Sequence, residues 1–152
     1  HNANPKAIQE SDSTYQRNAL HIAVMNSTTH KTVSLLLKLY PKGARVQDIH
    51  GRLPIHYAAR GTLTDERMMR CLLKVYPEST TVSDDNGFLP LHVACRMGQP
   101  MSIVRFMIRI APETILAKTN KGSTPIHCTW QYKEGEPARQ QEIVDLLTAV
   151  SK

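Results

Sequence analysis

The chain repeats itself every 35–36 residues, and that period constrains its fold more than any composition does. Asn18-Ala-Leu-His21-Ile-Ala returns as Leu53-Pro-Ile-His56-Tyr-Ala, Leu89-Pro-Leu-His92-Val-Ala and Thr124-Pro-Ile-His127-Cys-Thr. Two further landmarks keep phase with the histidines: Gly51, Gly87 and Gly122 precede them by five residues, and Tyr40-Pro41, Tyr76-Pro77 and Ala111-Pro112 follow. A unit this short cannot bury an apolar face alone, so neighbouring units must stack.

Between the landmarks the apolar pattern is helical. The aligned columns Val33/Met69/Val104/Ile143, Leu36/Leu72/Met107/Leu146 and Leu37/Leu73/Ile108/Leu147 lie at offsets of 0, +3 and +4, which share one helix face. A further column, Leu39/Val75/Ile110/Ala149, is expected to widen that stripe. The Pro-x-His segment places proline where a helix accepts it, at the first turn. The preceding glycine supplies the positive φ of a tight turn. Each unit therefore reads as turn, short helix, loop and second helix, with Tyr-Pro ending the second helix.

Thr-Pro-Leu-His-x-Ala after an Asp-x-x-Gly turn, matched by Asp48-Ile-His-Gly51 and Asp84-Asp-Asn-Gly87, resembles the ankyrin repeat over residues 17–150. The resemblance implies an all-α solenoid of stacked helix-turn-helix units with short β-turn fingers, 1–152 forming one domain. Residues 1–12 read as the tail of a preceding repeat, 13–47, 48–83 and 84–118 as repeats, and 119–152 as a C-terminal cap. Several departures stand out. The period exceeds the family's usual ~33, with the excess near Tyr-Pro and, in the second unit, around Asp65-Glu66. Gln16 and Ala19 replace the first unit's glycine and proline. Four extra residues lie around Lys133–Pro137, and Trp130 stands in the small-residue column of Val24, Ala59 and Cys95, where it needs the neighbouring helices to separate.

The four periodic histidines invite a metal site, but stacked helices lie roughly 10 Å apart and zinc needs ligands near ~2.1 Å. They are expected instead to hydrogen-bond backbone, with no metal and no cofactor. Cys71, Cys95 and Cys128 form no C-x-x-C pair and read as small buried thiols in a reducing compartment, cytoplasmic or nuclear. No apolar run approaches the ~20 residues of a membrane helix. The chain begins at His1 rather than Met, as an excerpt or a processed product does.

No P-loop, G-x-S-x-G, H-E-x-x-H or dinucleotide fingerprint is present, so no catalytic residue is assigned and no enzyme is expected. A solenoid's concave face suits protein recognition. The expected function is a monomeric, non-catalytic module binding a protein or peptide. With 19 Lys and Arg against 13 Asp and Glu, an acidic partner fits best. The partner-binding positions are the turn tips Ile49, His50 and Arg52, then Asp85, Asn86 and Phe88, then Asn120, Lys121 and Ser123, with Arg60, Arg96, Met97 and Gln131 on the first helices. Phe88 is the sharpest of them, a turn-tip aromatic with little packing to gain. Two other readings remain. A basic scaffold binding nucleic acid or anionic lipid would lose affinity steeply with salt, although no base-stacking aromatics are interleaved and no specific nucleic acid is expected. The chain is alternatively a regulatory or targeting domain of a larger enzyme.

Core truncation in an interior unit should be severe. Leu72→Ala or Leu73→Ala is expected to cost about 2–5 kcal/mol in chemical denaturation, and deletion of residues 1–12 less. A deletion that unfolds the chain while Leu72→Ala leaves it intact would refute this ranking.

Overall fold

A computed structural model describes residues 9–26, 28–61, 66–131 and 137–150. The chain divides into two compact units, 1–79 and 80–152. Among the described residues every regular element is helical. The first unit carries α1 (Ala19–Met25), α2 (His30–Leu39), α3 (Pro54–Arg60) and α4 (Glu66–Val75), with α1 packed on α3 and α2 on α4. The second carries α5 (Pro90–Arg96), α6 (Met101–Ile110), α7 (Pro125–Trp130) and α8 (Pro137–Val150), with α5 packed on both α6 and α7, and α7 on α8.

Proline opens α3, α5 and α7, as the sequence suggests. Where α1 lacks it, Asn18 caps the helix: its Oδ1 accepts the His21 amide at 3.0 Å, and its Nδ2 donates to the Gly43 carbonyl at 3.0 Å. The second helices end before proline because the residue ahead of it is driven extended, with φ of −146° at Tyr40 and −140° at Ala111. The excess over the usual period becomes a short 3₁₀ turn at Pro41–Arg45, Pro77–Thr81 and Pro112–Leu116.

The core follows two helical columns throughout: Val33, Met69, Val104 and Ile143 are buried, as are Leu37, Leu73, Ile108 and Leu147, while in the third Leu72 and Met107 are buried and Leu36 and Leu146 half-buried. The fourth column does not widen the stripe. Leu39 is 54% exposed because it lies two residues, about 200° of helix, beyond Leu37. Trp130 needs no enlarged core site either. It ends α7 with 56% of its surface in solvent, while Thr129 beside it is buried and returns its hydroxyl to the Pro125 carbonyl at 3.1 Å. The extra residues at 133–136 and the loop at 62–65 lie outside the described residues.

The fingers are tight reverse turns. Within Asp48–Arg52, Asp84–Phe88 and Thr119–Ser123 the first amide donates to the last carbonyl at 2.9, 3.0 and 2.9 Å. Gly51, Gly87 and Gly122 take φ of 73°, 82° and 81°, and Gln16 takes 57° in their column without glycine's freedom. Adjacent fingers join by one backbone hydrogen bond in each unit, Ile49 to Tyr15 at 2.8 Å and Asn120 to Asn86 at 3.0 Å.

A Cβ at Gly122 meets nothing within 4 Å, whereas one at Gly87 would lie 2.6 Å from the Asn120 amide nitrogen. Gly122→Ala should therefore cost only the left-handed backbone penalty, about 1–2 kcal/mol, and Gly87→Ala distinctly more. Gln16→Gly should stabilise by up to about 1 kcal/mol. Equal melting temperatures for the two alanine variants would contradict this finger geometry.

Candidate functional site

In each unit a first-helix histidine ties its own helix start to the chain at the next finger. The His92 Nδ1 accepts the Leu89 amide at 3.1 Å, so its proton sits on Nε2, which donates to the Ala117 carbonyl at 2.8 Å. His21 does the same between the Asn18 amide, at 3.2 Å, and the Arg52 carbonyl, at 2.9 Å. His56 and His127 also accept the amide three residues upstream, each at 3.0 Å. No three His, Cys, Asp or Glu residues gather as metal ligands among the described residues. Burial lowers the pKa of His21 and of His92, outweighing their carbonyl partners. Burial also pushes the Cys95 thiol up to about 12 and Cys128 to about 11, so both stay protonated and unreactive at neutral pH.

A carboxylate locks the turn above. Asp48 Oδ1 accepts the His50 and Arg52 amides, both at 2.9 Å, and Asp84 Oδ1 accepts those of Asn86 and Phe88, both at 2.9 Å. Burial of Asp48 works against its charge, but the hydrogen bonds from Tyr57, Arg52 and His50 outweigh it and lower its pKa. The third finger differs: Thr119 stands in this column, and its Oγ1 accepts only the Ser123 amide, at 3.1 Å.

In the first unit the tips Ile49 and His50 and the helix-end Arg60 are exposed, and Arg52 is half-buried. Arg52 lies 6.0 Å from the Tyr57 ring centre. The Tyr57 hydroxyl donates to Asp48 and accepts from Arg17 at 3.2 Å, while the Arg17 guanidinium lies 4.2 Å over Tyr15. Tyr57 thus ties the local cation and anion together.

The second unit is open by comparison. Asn86, Phe88, Arg96, Asn120, Lys121, Ser123 and Gln131 line one groove of about 520 Å3 with Thr119. Asp85 and Met97 are exposed but do not line it. Phe88 is half-buried rather than projecting: its ring meets His92 edge-on at 6.0 Å and lies 5.5 Å beneath the Arg96 guanidinium. The finger's short reach explains this, since a side chain at its base has the first helix directly below. Phe88 is a wall of the groove. Thr119 was not among the expected positions, and its departure from the Asp48/Asp84 column was the signal that marks it.

No described helix is long and apolar enough to cross a membrane. No curated protein matches the chain. The family model of the ankyrin repeat matches residues 86–120, a stretch that runs from the tip of the second unit's first finger through α5 and α6.

The neutral histidine bridge sets a pH dependence. Because the folded pKa values lie below the ordinary 6.5, the unfolded chain binds more protons as pH falls through that value, and folding stability drops. The melting temperature is expected to hold near neutrality, fall below about pH 6.5 and fall again in acid as Asp48 protonates. A flat profile between about pH 7.5 and 5 would show that both rings accept charge in the folded state.

Proposed function

Because the chain belongs to the ankyrin repeat family, whose repeats generally act as protein–protein interaction modules, we propose that it is a non-catalytic module binding a protein or peptide. The contact surface is the one formed by finger tips and first helices. The single observation that carries this reading is the groove of the second unit. Seven polar, aromatic and cationic side chains converge there over a finger backbone whose closing hydrogen bond recurs from repeat to repeat. Polar amides and hydroxyls, one aromatic wall and two cations suit an extended chain, which offers both backbone polar groups and side chains. The free thiols Cys71, Cys95 and Cys128 fit a cytoplasmic or nuclear setting. The same reading takes 13–47, 48–83, 84–118 and 119–152 as successive repeats of one monomeric domain.

Selection of random displayed peptides on the immobilised chain tests this, with amide chemical shifts locating the bound peptide. Shifts are expected to concentrate at Asn86, Lys121 and Gln131, and binding to fall in Gln131→Trp, which fills the groove from an exposed position. Shifts confined to the exposed Leu35 and Leu39 of α2 would place the interface on the second helices instead.

A further inference from the structure

We infer that the groove of the second unit holds a carboxylate side chain of the bound peptide, at a point where this chain has lost a carboxylate of its own. The inference rests on the peptide-binding reading above and names the chemistry it selects.

The finger column supplies the argument. Asp48 and Asp84 each offer one oxygen to two amides, those two and four residues ahead. Thr119 satisfies only the second of these, leaving the Lys121 amide without an acceptor among the described residues. The substitution also removes the negative charge that sits under the other two tips. Lys121 itself is exposed directly above, and Arg96 reaches the same groove with its guanidinium over Phe88. Neither cation forms an ion pair among the described residues, and no acidic side chain lines the groove. Asp85 belongs to the preceding tip and does not line the groove; its carbonyl, not its carboxylate, accepts the Asn120 side-chain amide at 2.8 Å.

Two unpaired cations and an unclaimed amide therefore converge where the family of turns in this chain otherwise keeps an anion. A guanidinium lying over an aromatic ring keeps its N–H edge available for a carboxylate fork. An aspartate or glutamate of the partner meets all three donors. The first unit lacks this combination, because Asp48 already accepts both amides of its tip and, with Tyr57, holds Arg17.

The test uses peptides selected on the whole chain, measured by fluorescence anisotropy. Acidic residues are expected at one fixed position, with affinity falling roughly tenfold, the equivalent of one charge-assisted hydrogen bond, in Lys121→Gln and in Arg96→Gln. Thr119→Asp is the decisive variant. Restoring the column's carboxylate should weaken the acidic peptides by a similar factor while keeping or raising the melting temperature. Unchanged affinity in Thr119→Asp would overturn the inference, and so would selection of neutral peptides that Gln131→Trp still excludes; in the latter case peptide binding in the groove stands. If no peptide binds and an oligonucleotide or anionic vesicle does, both readings fall.

Discussion

The fold depends on one proton. Each buried first-helix imidazole works as a bridge only when its Nδ1 is bare and its Nε2 carries hydrogen, because the helix start offers it a donor and the chain beyond offers it an acceptor. His92 shows this arrangement, and His21 spans the same partners, an amide at its helix start and a carbonyl in the next finger. A second proton would set N–H against N–H at the helix start, inside a site that already excludes water. The orphan donors of a short helix are thus met by a side chain that also ties down the loop leading into the next finger. Six- and seven-residue helices such as α7 and α5 have little stability of their own. Fixing both ends of the imidazole lets them act as rigid floors for the turns above.

The features that recur in register were legible because their physics is local. Proline at a helix start, glycine at positive φ and an i, i+3, i+4 apolar face each follow from a few neighbouring residues, and all three appear where the period places them. What was misjudged depended on direction in space. Leu39 shares a column with Val75 and Ile110, but a column says only that positions are equivalent, not that they face inward. Trp130 was read as an overpacked core residue, yet a helix-terminal side chain has a second way out, into solvent. Phe88 was read as free because tips are exposed, while its ring in fact folds back on His92. Which candidate residues share a groove was not legible at all, since Asn86, Arg96 and Gln131 are brought together only by the stacking of α5 on α7.

The two units use the same backbone to opposite electrostatic ends. In the first, Tyr57 takes a column held elsewhere by Ile22, Val93 and Cys128, and its hydroxyl joins Asp48 to Arg17. Charges satisfied internally have little to offer a ligand, since a competing partner must first break contacts already made. In the second, the corresponding Val93 and Cys128 have no hydroxyl to spare, and Arg96 leans on an aromatic face instead of an acid. An aromatic face leaves a guanidinium's hydrogen-bonding edge unsatisfied, which an acid does not. Net basicity is therefore a poor guide to where this chain attracts anions; what matters is which cations lack an internal partner.

Variation at the finger tips carries little information, because a solvent-exposed position that does nothing also varies. Variation in the column beneath carries more. Aspartate there accepts two amides in the first two fingers, and replacing it with threonine forfeits one of them. An amide at a wet tip can turn to water, so the loss is tolerable, but it is still a departure from the arrangement that best closes the turn. Such a departure is informative when its neighbourhood changes in the same sense. Here the tip residue becomes lysine, the wall contributes an unpaired arginine, and no acid enters the groove. A lysine gained beside the lost carboxylate, next to an arginine kept from Arg60 in the preceding repeat, is better explained by an anion arriving from outside than by independent drift at the two positions.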